Sequence, residues 1–107
     1  MVDFKVVSTL DDSPHEYGSN DPYLNGRWHD LYWETILDDI LGIHLSAIYD
    51  SPIKYWAVDQ VEMIYGALKA LRKKDLPVDA RRLDLTLDVL VRDFEQFVRD
   101  KCRICVF

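Results

Sequence analysis

The chain closes on Arg103-Ile104-Cys105-Val106-Phe107, a β-prone apolar run. Such a run is costly to leave in water, so it has to pair in a sheet, and this constrains the fold more than any other stretch. Its natural neighbour is Phe4-Lys5-Val6-Val7-Ser8, a β-branched segment ended by Asp11-Asp12-Ser13-Pro14. The two ends of the sequence are therefore expected side by side. Between them, Ile43–Tyr49 and Ile53–Val58 flank Asp50-Ser51-Pro52, and the pattern predicts a middle hairpin.

Helical periodicity fills the remainder. Trp28–Leu41 places Trp33, Ile36, Leu37, Ile40 and Leu41 on one face, and Gly42 suits a left-handed cap. A second helix is expected from about Gln60 to Lys73, with Val61, Ile64, Tyr65, Leu68 and Leu71 as its apolar face. Asp59 and Glu62 would form its capping box, flanked by Val58 and Met63 as a hydrophobic staple; a start at Pro52, capped by Ser51, is the rival reading. A third is expected from a cap at Asp79 to about Asp100. Its buried stripe is Leu83, Leu87, Leu90, Val91, Phe94, Phe97 and Val98, and its outer face is solvated by the pairs Asp88/Arg92 and Glu95/Arg99. The 107 residues are enough for one core, so the expectation is one α+β domain over 1–107. A small sheet, made of the chain-end strands and the middle hairpin, packs against three helices.

Charge is distributed unevenly. Positions 1–62 hold twelve Asp/Glu against three Lys/Arg, a net of −9; positions 63–107 hold seven against ten, a net of +3. Nucleic acid and anionic membrane are poor partners for so acidic a first half. There is no basic segment leading into a long apolar one, and no apolar run long enough to span a bilayer, so a cytoplasmic location is expected.

Motifs for chemistry are sparse. Cys102-Arg103-Ile104-Cys105 is a C-x-x-C, but it follows a helix C-terminus, where the dipole disfavours a thiolate, and no second ligand pair accompanies it. In a strand its two thiols face opposite ways, which makes them packed thiols. His15, His29 and His44 are scattered singly and show no convergence on one pocket. No nucleophile elbow, zinc-protease helix or glycine-rich phosphate loop occurs, so neither enzyme activity nor a cofactor is expected. The segment 15–26 gathers turn residues into a long loop. Asp11, Asp12, Glu16 and Asp21 in and before it offer oxygens for a divalent cation such as calcium, without the spacing of an EF-hand.

The strongest candidate surface combines acids with aromatics. Asp30, Glu34 and Asp38 repeat every four residues, Asp39 lies beside them, and no Lys or Arg on that helix offsets them. Tyr17, Tyr23, Trp28 and Tyr32 fall nearby in sequence. Aromatic anchors ringed by acids suit the interface with a basic protein. The same residues also fit a plainer role, with the rings covering the core edge and the acids keeping the protein soluble. The surface expected to bind is Trp28, Asp30, Tyr32, Glu34, Asp38 and Asp39, with Tyr17 and Tyr23 from the loop.

From Trp28 to Phe107 the chain resembles the YfbM-like family of uncharacterised bacterial proteins. The shared features are a Trp-led helix ending in Gly42, an extended stretch before Asp59, a helix carrying Val61, Ile64 and Leu68, then a long helix and a terminal apolar strand. The resemblance implies an α+β fold and brings no activity or site residue with it. Small acidic α+β folds are also frequent among bacterial immunity proteins, an analogy of fold and charge. The expected function is that of a non-enzymatic acidic protein that captures a basic protein partner, as an immunity protein or inhibitor does. The alternatives are a calcium-binding protein and a self-associating homo-oligomer in which the acidic half of one chain meets the basic half of another.

Overall fold

The computed structural model describes residues 4–9, 24, 28, 31–45, 47–76 and 83–106. Along the chain come strand β1 (Phe4–Ser8), a π-helix (Thr35–Ile40), the single helical turn α1 (Ala47–Asp50), strand β2 (Tyr55–Trp56), helix α2 (Val58–Ala70), a 3-10 turn (Lys73–Asp75), helix α3 (Leu83–Arg99) and strand β3 (Cys102–Val106). The fold is α+β, a three-stranded antiparallel sheet packed against helices.

The two end strands pair as the sequence demands. β3 is the central strand in the order β1-β3-β2, with Phe4 opposite Val106, Val6 opposite Ile104 and Trp56 also opposite Ile104. Because strand side chains alternate, this register puts Phe4, Val6, Cys102, Ile104, Trp56 and Val106 on the face toward the helices. Lys5, Val7, Arg103, Cys105 and Tyr55 take the other face.

The middle hairpin is not formed. Its first arm contains α1, and its second arm supplies only β2, which pairs with β3. The buried residues explain the difference: among the described side chains of the first arm, Leu45 and Ile48 are fully buried, and three residues apart is one helical turn, not a strand repeat. Ser51 Oγ accepts the Ile53 N–H at 3.2 Å and closes the turn that follows.

Helix α2 buries Val61, Ile64 and Leu68, as its periodicity requires. It begins two residues before the expected start. Ala57 stands at the cap, and the Gln60 side-chain oxygen accepts the Ala57 N–H at 2.8 Å, so Gln60 does what Glu62 was expected to do. Met63, 58 % exposed, forms no staple.

Helix α3 buries Leu83, Leu87, Leu90, Phe94 and Phe97 together with two polar residues, Thr86 and Asp93. Asp88 bonds Lys73 of the 3-10 turn at 2.8 Å rather than Arg92 within its own helix. The expected cap at Asp79 lies outside the described residues.

The two buried polar side chains anchor the segment that precedes the π-helix. The Trp28 indole N–H donates to Asp93 Oδ2 at 2.8 Å, and Thr86 Oγ1 donates to the Leu31 carbonyl at 2.5 Å. Trp28 also stacks on Phe94, with ring centroids 5.9 Å apart. A buried carboxylate that loses a donor has no water to replace it. Trp28→Phe keeps most of the ring packing and removes the donor. It should lower stability by about 1–3 kcal/mol, read as a lower urea midpoint at unchanged slope.

Candidate functional site

Fixed at Trp28 and Leu31, the chain turns outward at Tyr32, whose φ of 51° is left-handed and whose side chain is 61 % exposed. The Tyr32 carbonyl accepts the Thr35 N–H at 3.1 Å and starts the helical segment. Its turns then widen: Leu41 N–H reaches the Ile36 carbonyl, five residues back, at 3.0 Å. The segment ends through Gly42 at φ 68°, with Gly42 N–H to the Asp38 carbonyl and Ile43 N–H to the Leu37 carbonyl. Ile36 and Leu37 point into the core, while Glu34 and Asp39 are exposed. Single-turn π geometry is rare and frequently marks functional sites.

Three of the proposed binding residues, Glu34, Asp38 and Asp39, are thus displayed on one short segment that carries no cation. Asp38 Oδ1 lies 2.5 Å from His44 Nδ1, and both side chains remain substantially exposed. Tyr32 fits the role of a surface aromatic. Trp28 does not: it is fully buried, with its polar atom spent on Asp93, so it supports the surface from beneath and cannot touch a partner. Tyr17, Tyr23 and Asp30, and the candidate calcium ligands Asp11, Asp12, Glu16 and Asp21, lie outside the described residues. Among the described residues no group of three or more His, Cys, Asp or Glu is arranged to hold a metal ion. No helix of the described residues is long and apolar enough to cross a membrane.

Among the described residues, two recesses open near acidic side chains. The smaller, about 90 Å³, is lined by Phe4, Trp33, Ile43 and Leu45 with Glu34 and Asp38. Sequence patterning pointed to its two acids but not to its floor, because Phe4 comes from β1 and only the tertiary fold brings it against Trp33, edge to face at 6.4 Å. The larger, about 480 Å³, lies where β2 meets α2, with Asp59 and Glu62 on the helix side and Tyr55 and Arg103 on the strand side. The Arg103 guanidinium sits 5.2 Å from the Tyr55 ring centroid, and this cleft carries charges of both signs.

The cysteines are free and buried on opposite faces of β3, so they cannot close on each other. Burial first, and the Asp100 carboxylate second, push the Cys102 thiol from 9.0 up to about 11. Burial likewise raises Cys105, against a smaller lowering by Arg103. Neither is poised as a nucleophile. The Cys102 shift has a signed consequence. Between pH 9 and 11 the unfolded thiol releases its proton while the folded one keeps it, so the unfolded state binds fewer protons and stability falls as pH rises. Cys102 should contribute about 2–3 kcal/mol to that fall, and Cys102→Val should lack this share in urea titrations across the window.

No protein family, curated protein or solved structure matches the chain.

Proposed function

We propose that this protein is a non-enzymatic binding protein that recognises a basic protein partner, in the manner of an immunity protein or inhibitor. The observation that carries this reading is the display of Glu34, Asp38 and Asp39 beside the exposed Tyr32, on a stretch from Leu31 to Leu45 that contains no Lys or Arg. Like charges held close on a helical segment repel by a few tenths of a kcal/mol per pair. Asp39 also sits next to the last residue of the segment, where the backbone dipole disfavours anions. A cationic partner relieves both costs, and acids at an interface rim speed its encounter. Tyr32 supplies the rigid amphipathic contact that such rims surround.

The test is capture of basic proteins from lysate at low salt, by the native protein and by the double variant Glu34→Lys/Asp38→Lys. The native protein should retain a basic protein that a salt gradient releases, and the variant should retain at least tenfold less of it. Equal retention by both would remove this surface from the interface.

A further inference from the structure

We propose that His44 makes partner capture depend on pH: protonation of its ring and occupation of the acidic surface by a cation oppose each other, so acidification weakens capture. This rests on the acidic-surface reading above and adds the regulation of that surface. The chain brings His44 to the acids by reversing at the end of the π-helix. Gly42, at φ 68°, lets the turn close; its N–H bonds the Asp38 carbonyl at 3.0 Å, and the Ile43 N–H bonds the Leu37 carbonyl. The next residue, His44, then lies beside Asp38, with Nδ1 2.5 Å from Oδ1. A bare nitrogen would set its lone pair against the carboxylate, so Nδ1 carries the proton and donates it to Asp38. The neutral ring is left with Nε2 as its basic atom. A second proton therefore adds a positive charge beside Asp38 without breaking the bond that holds the ring there.

That charge matters because little else on the segment balances it. From Leu31 to Leu45 the chain holds three carboxylates, Glu34, Asp38 and Asp39, no Lys or Arg, and His44 as the one base that titrates near neutrality. With His44 neutral the segment carries −3; with His44 protonated it carries −2. Of the neighbouring elements, β1 turns Lys5 to the face opposite Phe4, and α3 directs Asp93 to the Trp28 indole beneath the segment. Asp38 is bonded to His44, and Glu34 lines one recess with Asp38. Both partners of the His44–Asp38 pair are substantially exposed, so the pair adds little to stability. The same exposure lets the ring exchange a proton with water and lets a docking cation approach it. A cation beside protonated His44 is repelled, and by linkage the proton lowers cation affinity by the factor by which the cation lowers proton affinity.

The experiment titrates acetylated, amidated tetralysine, whose charge is constant over the histidine range, into the isotopically labelled protein at low salt. Binding is read from the backbone amides of the segment 34–39 at about pH 8 and about pH 5.5, which bracket that range. The native protein should bind roughly two- to threefold more weakly at the lower pH, the effect of one added charge close to the ammonium groups. His44→Asn offers an amide N–H in place of Nδ1–H but takes up no proton, and it should lose that drop. His44→Lys carries its charge throughout, and it should bind at both pH values as weakly as the native protein does at the lower one. No drop in the native protein, or an equal drop in His44→Asn, which would trace it to the carboxylates, overturns the role of His44. Glu34→Lys/Asp38→Lys then separates the two readings. Loss of binding in that variant keeps the acidic surface and removes only its regulation. Unchanged binding there, or no binding by the native protein at either pH, refutes the surface together with its regulation.

Discussion

The hydrogen bond from the Trp28 indole to Asp93 joins parts of the chain that local sequence gives no reason to associate. A carboxylate at 1 % exposure is tolerable only with donors aimed at it, and an indole N–H in the core is tolerable only with an acceptor. Each group therefore needs the other. The rings assemble around this contact: Phe94 stacks on Trp28, Trp33 lies 5.6 Å away at a tilt, and Phe97 meets Phe94 edge to face. Thr86 adds a second tether through the Leu31 carbonyl. Together these contacts seat the start of the acidic segment on α3. The outward turn at Tyr32 and the placement of Trp33 against Phe4 follow from that seat.

The acids of the chain are not all displayed alike in space. The π-helix segment presents acids whose nearest described partner is a histidine, whereas the acids of the β2–α2 cleft stand close to Arg103 and those of α3 include one paired with a lysine. An exposed surface pair such as Lys73–Asp88 contributes little to stability. Among the described residues, Glu34 and Asp39 have no such cation paired with them, and their mutual repulsion with Asp38 is a small cost to the fold.

The elements that were legible are those whose signal is periodic and local. The stripes Val61-Ile64-Leu68 and Leu83-Leu87-Leu90-Phe94-Phe97 emerged as read, and the two β-prone apolar runs Phe4–Ser8 and Cys102–Val106 paired with each other. The misread elements were decided by distant partners. Ile43–Tyr49 has strand-like composition, but the core takes up Leu45 and Ile48 at helical spacing. Trp28 read as a surface anchor because its acceptor lies 65 residues away. A lone acid inside an apolar stripe was the available sign that a buried donor had to come from elsewhere, and Asp93 is such an acid. Half of the candidate recess was visible as the spacing of Glu34 and Asp38; its floor depends on β1 and was not.

The placement of β3 at the centre of the sheet also bears on the order of folding. Pairing Phe4 with Val106 closes a loop of nearly the whole chain, and the entropy of that closure is lost before any contact across the sheet repays it. α2 and α3, by contrast, follow each other directly apart from residues 71–82, so their contacts are far more local in sequence. Non-local pairing of this kind slows folding relative to local helix contacts. Phe4 belongs to β1 and lies edge to face with Trp33, so this wall of the recess depends on the same non-local pairing. In a species in which the helices have collapsed but the sheet has not, the acids of the π-helix segment would lack the apolar wall that Phe4 provides.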